Sequence, residues 1–254
     1  MTKQLVELYV HPLTIIYIAL SLILGRFTFV FGMFAIAIIH EFFHIFAAYI
    51  FHLKVNCISI TPIGCYADIN ELENAPRIAQ IIILIMGPLS FFFSSAIIKY
   101  LTQIDIISIY RYRELIETNL LIMLFNLLPI FPLDGGRILK VIFSSLFSEK
   151  VSLRLKGISG IIFGIGVAIY LFHIKQYLFA ISLIFMAIIN IINVKKDYLK
   201  FLYQRIIINL PRRYRKRLNN KPIVYRFFNN YYLSSKGIVN EKKYLSKIIK
   251  KETT

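Results

Sequence analysis

His40-Glu41-Phe42-Phe43-His44 places two imidazoles four residues apart, with a carboxylate beside the first. On an α-helix, positions four apart share a face, so both imidazoles can bind one ion, while Glu41 can act on water there without being a ligand. This is the helical zinc-protease spacing, in which the glutamate is the general base. The string also arises by chance in soluble proteins, so its surroundings decide its meaning. Here it lies in an apolar run from Phe27 to Phe51 that contains no other histidine, acidic or basic residue. A charged group at a bilayer centre costs at least about 2.5–3.5 kcal/mol on insertion scales, so such groups are rare and usually functional. Helix–helix glue is the other reading, with His and Glu bonding to neighbouring helices. One polar residue would suffice for that, and three at metal-binding spacing exceed it.

A catalytic zinc takes three protein ligands and keeps one position open. His11 and His52 fall at the ends of apolar stretches and His173 in a loop, positions that suit interfacial or solvated residues. Asp134 is the better third ligand. It follows the fourth apolar stretch in the string NLLPIFPLDGGR, Asn126 to Arg137, where prolines and glycines unwind a helix. An Asp capping the helix that begins near Gly135 is the alternative. Cys57 and Cys65 fit no zinc-knuckle spacing and read as small packing residues flanking a turn.

These residues need a scaffold, and the composition restricts it. Of 254 residues, 57% are hydrophobic and 17% charged, against roughly 45–50% and 25% in soluble domains. The chain is therefore not an ordinary soluble domain or a disordered segment, and two cysteines exclude a disulfide-stapled secreted one. Six apolar stretches can be set against the roughly 20 residues of a membrane span: Pro12–Gly25, Phe27–Phe51, Ile78–Leu101, Leu115–Phe131, Ile158–Phe172 and Tyr177–Val194. The first lacks a basic n-region and a cleavage site, so it reads as a retained helix, with Arg26 either dividing it from the second or snorkelling. Val141–Phe147 is too short to add a seventh. Between spans, Val55, Ile58, Ile60 and Ile63 with the turn Pro62–Gly64 predict a short hairpin within Lys54–Glu73. The expected fold is an all-α integral membrane protein of about six transmembrane helices with a membrane-associated β-hairpin.

The net charge of +17 is concentrated at the end. From Lys195 onward there are seventeen Lys/Arg and three Asp/Glu, so residues 195–254 read as a basic tail behind a six-span domain, 1–194. The positive-inside bias puts that tail in the cytoplasm against anionic lipid, and an even span count puts both termini there. No groove-reading or base-stacking motif accompanies the charge, so nucleic acid is not an expected partner. Helical pieces at the membrane surface are expected in the tail.

The paired motifs resemble the site-2 protease family of intramembrane zinc metalloproteases. Its first motif matches His40-Glu41-Phe42-Phe43-His44, and its Asn-Pro-Asp-Gly motif matches Asn126, Pro129, Asp134 and Gly135. The resemblance covers about residues 10 to 195 and is most similar to the family's sporulation branch, through the six-span layout, small size and basic end. It implies a zinc metalloendopeptidase cleaving a membrane-associated protein, a sigma-factor precursor in the sporulation branch, within the bacterial cytoplasmic membrane or the membrane around the forespore. Membrane-protein regulators are implied partners. His40, His44 and Asp134 would hold Zn2+, Glu41 would be the base, and Asn126 would orient substrate or stabilise the oxyanion. The hairpin would pair with unwound substrate by strand addition. The sporulation branch carries a nucleotide-responsive CBS domain after the last span. Residues 195–254 are short for one, Val224–Ile249 would be a degenerate remnant, and ATP binding is not expected. Other branches often have a glycine pair in the hairpin, where this chain has Gly64 alone. The rival readings are a membrane metal transporter and an inactive scaffold that binds a partner through the tail.

Overall fold

The structure is a computed structural model that describes residues 7–25, 27–61, 64–69, 72–173, 175, 177–207, 216–219, 223–234, 237–242 and 244–245. Arg26, the turn residues Pro62 and Ile63, and the end of the tail from residue 246 lie outside the described residues. The chain divides into two units, residues 1–127 and 128–254.

In the first unit, strand β1 (Glu7–Val10) leads into helix α1 (Pro12–Ile23). His11 is the cap between them: its Nδ1 accepts the Leu13 N–H at 3.2 Å, and Pro12 pre-sets the first helical turn. Helix α2 (Phe27–Ile50) ends at His52, whose φ of 57° turns the chain so that the Leu53 N–H returns to the Ala48 carbonyl at 2.9 Å. Both histidines thus have backbone roles. Strands β2 (Val55–Thr61) and β3 (Gly64–Ile69) form the expected hairpin, with Ile58 opposite Ala67 and Ile60 opposite Cys65. β1 adds to β2 in parallel, so the sheet order is β1-β2-β3 and β3 is an edge. Thr14 Oγ1 and the His11 N–H both donate to the Ile60 carbonyl, at 3.1 and 2.9 Å, which ties α1 to the sheet.

Helix α3 (Arg77–Gln103) continues through Pro88. Its buried residues Gln80, Ile83, Leu84, Gly87, Ser90, Ser94 and Ile98 follow a three-to-four spacing, so one stripe faces inward. Helix α4 (Ile109–Leu127) starts six residues before the apolar stretch expected at Leu115. Arg111 and Glu114, then Arg113 and Glu117, sit three and four apart and support helix ahead of the apolar part. Asn119 on α4 donates to the Phe91 carbonyl at 3.0 Å and to Ser95 Oγ at 2.9 Å, locking α4 to α3 inside the apolar layer.

The second unit holds α5 (Asp134–Leu146), α6 (Glu149–His173), α7 (Tyr177–Ile192) and α8 (Val194–Ile207). Gly157, Gly160 and Gly164 lie on the face of α6 that meets α7. A Cβ at Gly157 would come 3.0 Å from Ile191, and one at Gly164 would come 3.1 Å from Ala187. Small residues let helix backbones approach closely where apolar burial supplies no preference between partners. α8 and the helical residues 241–242 and 244–245 are the helical pieces of the basic end, and between them lie strands β4 (Lys216–Asn219), β5 (Asn229–Ser234) and β6 (Gly237–Asn240). β4 runs parallel to β5, and β5 pairs antiparallel with β6. Val224 and Leu245 join Tyr198, Phe201 and Leu202 of α8 and Leu153 of α6 in one core. The Arg226–Glu149 pair at 2.5 Å and the Arg205–Glu241 pair at 2.8 Å are buried within it. Arg205 and Arg226, counted toward the basic tail, thus anchor a packed module.

Among the described residues the protein is therefore mostly helical with two three-stranded sheets, rather than all-α. Among the described residues, α2, α3 and α6 are long and apolar enough to cross a membrane. α4 carries four charges in its first half, and α1 and α7 are 12 and 16 residues long.

Candidate active site

α2 forms because the run from Phe27 to Ile50 has no proline and a single early glycine, Gly32. Its spacing turns His40 and His44 to one side, where each is 5% exposed, and leaves Glu41 half-buried. Ligand atoms of the three residues lie within 4.8 Å of one another, and they form the group among the described residues that could hold a metal ion. The Nε2 atoms of His40 and His44 are 3.2 Å apart. Two nitrogens at about 2.0–2.1 Å from a tetrahedral zinc stand about 3.3–3.4 Å apart, so the pair is spaced for one ion.

The neighbouring helix sets the tautomer. His44 Nδ1 lies 2.7 Å from the Ile83 carbonyl. A carbonyl only accepts, so Nδ1 carries the proton and Nε2 presents its lone pair, the arrangement usual for ligating imidazoles. Ile83 and Gly87 are four apart on α3 and share the face that packs here. A Cβ built on Gly87 would overlap His44 Nε2 and stand 2.8 Å from His40 Nε2. The absence of a side chain at Gly87 is what leaves the space where the two Nε2 atoms converge. This cradle, together with the donor set, fits zinc.

Glu41 is oriented by the hairpin: the Ala67 N–H donates to its Oε2 at 3.0 Å. Ala67 faces Ile58 of β2 in register, yet its N–H points away from that pairing and toward α2. One carboxylate oxygen is thereby fixed by the hairpin. Cys65, one strand position from Tyr66 on the same hairpin, is a free thiol pushed up to about 11 by burial and by the Glu41 charge. Since a raised value favours the neutral form below it, Cys65 stays protonated through neutral pH. The Cys57→Ser/Cys65→Ser double variant is expected to keep zinc and activity within about two-fold, checked by metal analysis and turnover; loss of the metal would make a thiolate a ligand.

The other candidates are placed as follows. Asn126 is in the last turn of α4, its Nδ2 donating to the Ile122 carbonyl at 3.0 Å, which uses one of its two amide hydrogens. Asp134, in the second unit, opens α5 and is 5% exposed. Gly136 holds the turn before it: a Cβ there would collide with the Ile130 and Phe131 backbone.

The profile of peptidase family M50 matches residues 28–104 and 99–173, more than half of the chain and the stretch that holds His40, Glu41, His44, Asn126 and Asp134. The chain belongs to peptidase family M50. This M50 member is 29% identical over 151 residues to stage IV sporulation protein FB of Bacillus subtilis, covering 59% of this chain and 52% of the relative. It is 32% identical over 126 residues to zinc metalloprotease MJ0392 of Methanocaldococcus jannaschii, covering 48% of this chain and 36% of that one. The chain thus spans about half the length of the first relative and about a third of the second. Among solved structures it is similar to the site-2 protease from Methanocaldococcus jannaschii, with a TM-score of 0.52 and 25% identity over 74% of this chain and 89% of that one.

The motif reading did not reveal the backbone partners of the site. Neither the Ile83 carbonyl nor the Ala67 N–H has a side-chain signature. Gly87 carried a signal, a glycine beside a proline inside a long apolar run, which marks close backbone approach.

Proposed function

We propose that this M50 member is an intramembrane zinc endopeptidase that cleaves a membrane-associated protein. The observation that carries the reading is the convergence of two imidazole Nε2 atoms, 3.2 Å apart and buried, beside a carboxylate held by a strand N–H, inside an apolar helix. Asp134 is assigned as the third ligand, supported by its burial and by the motif that contains it. Six spans, with the basic end in the cytoplasm, complete the layout, supported by the apolar stretches and the charge distribution.

When bound, zinc supplies Lewis acidity, which makes water a stronger acid and polarises the scissile carbonyl. Glu41 does the proton work: with Oε2 held by the Ala67 N–H, its other oxygen takes a proton from the attacking water and passes it to the leaving amine. The second amide hydrogen of Asn126 donates to the developing oxyanion, an effect worth about 3–4 kcal/mol where single donors have been removed elsewhere. A helical substrate hides its carbonyls and must unwind. The β3 edge offers backbone groups with which the unwound segment can pair. The likeness to stage IV sporulation protein FB favours a sporulation sigma-factor precursor as substrate, in the membrane around the forespore.

Metal removal tests this reading. The full chain in proteoliposomes with a membrane-tethered candidate precursor is expected to lose cleavage on treatment with a zinc chelator and regain it with stoichiometric zinc. Unchanged cleavage without metal would overturn the reading, and zinc flux across sealed vesicles without cleavage would make the protein a transporter.

A further inference from the structure

Two polar side chains buried in the helices of the second unit have no role in the reaction described above: Lys156 on α6, 2% exposed, and Asn190 on α7, 5% exposed. Both act on Phe131. Asn190 Nδ2 donates to the Phe131 carbonyl at 2.5 Å, and Lys156 Nζ lies 4.2 Å from the centre of the Phe131 ring. Phe131 precedes Pro132, in an irregular stretch between prolines, where no helix serves the carbonyl. In an apolar layer an unserved carbonyl is unfavourable, and Asn190 supplies its donor. Lys156 is fixed in turn by Asp197 of α8 at 2.7 Å. An ammonium over an aromatic face is attracted more strongly when it is desolvated.

The rest of the segment is packed as closely. Ile130 is 0% exposed, its carbonyl accepts the Leu133 N–H at 3.0 Å, and Gly136 presses on its backbone. The segment is held at its carbonyl by α7, at its ring by α6 and at its backbone by α5, three residues before Asp134. We propose that Lys156 and Asn190 are positioning residues that clamp Phe131 and thereby fix the backbone that carries Asp134. The inference rests on the assignment of Asp134 as a zinc ligand.

The test uses the full chain in detergent, with zinc affinity measured by chelator competition and geometry read from the visible spectrum of the cobalt(II) form. Asp134→Ala sets the loss expected when the ligand is gone. Asn190→Asp keeps the shape but puts an acceptor against the Phe131 carbonyl. Lys156→Met/Asp197→Asn removes the cation without leaving a lone carboxylate. Each is expected to weaken zinc about 10- to 100-fold, the usual effect of losing a group that orients a ligand, and to change the cobalt spectrum, while Lys156→Arg stays within about three-fold of the parent. The two lesions are independent, so either one that folds suffices, with folding followed by the thermal transition of the metal-free protein. Parental affinity and spectrum in both, against a loss in Asp134→Ala, would overturn the clamp and leave the protease reading standing. Parental zinc binding in Asp134→Ala would overturn the assignment and the clamp together. A parent chain that binds no zinc would overturn the proposed function itself.

Discussion

Gly87→Ala is expected to abolish stoichiometric zinc binding while leaving the chain folded. The added methyl has no alternative place. It would meet Nε2 of His44 and stand 2.8 Å from Nε2 of His40. His44 cannot turn aside without giving up the Ile83 carbonyl at 2.7 Å, and that bond and the clash involve the same face of α3. Zinc affinity should fall by at least about 100-fold, the upper end of what lost outer-shell support costs, because here the ligand atoms themselves are displaced. Gly166→Ala is the matched control, since a Cβ there meets nothing within 4 Å. It should keep the parental affinity. Equal zinc binding by both variants, measured by chelator competition, would mean that α3 does not seat against the imidazoles in this way.

Glu41→Gln separates chemistry from binding. The amide is close in shape and its Oε1 can still accept the Ala67 N–H, so the hairpin contact survives, but it cannot take a proton from water. Turnover should fall about a thousand-fold, within the 10²–10⁴ range of general acid–base contributions, with zinc content unchanged and KM little altered. A variant that keeps full activity would remove Glu41 as the base. One that loses its zinc would make Glu41 a ligand.

The parts of the site legible in the sequence were those with a side-chain pattern. The His40 and His44 spacing within an apolar run announced both the helix and the convergence of the two imidazoles on it, and Val55, Ile58 and Ile60 announced the hairpin. Strand β1, by contrast, is four residues that pair in parallel with β2 some fifty positions away, a non-local contact with no local period. The partners that orient the site are backbone atoms, Ile83 carbonyl and Ala67 N–H, and any residue type carries those. The α6 glycines and Asn190 were visible as letters, but their meaning depends on which helix lies opposite. The basic end was legible as charge but not as structure: Arg205 bonds the buried Glu241 and the Arg226 and Phe228 carbonyls, and Arg226 bonds the buried Glu149.

The central claim is one ion held inside an apolar helix bundle by two imidazoles of a single helix. Zinc K-edge X-ray absorption on the purified full chain tests it most directly. The account predicts one zinc per chain, with two imidazole nitrogens at about 2.0–2.1 Å, oxygen in the remaining positions and no sulfur. A scatterer at about 2.3 Å, the zinc–thiolate distance, or a chain that carries no zinc would contradict it.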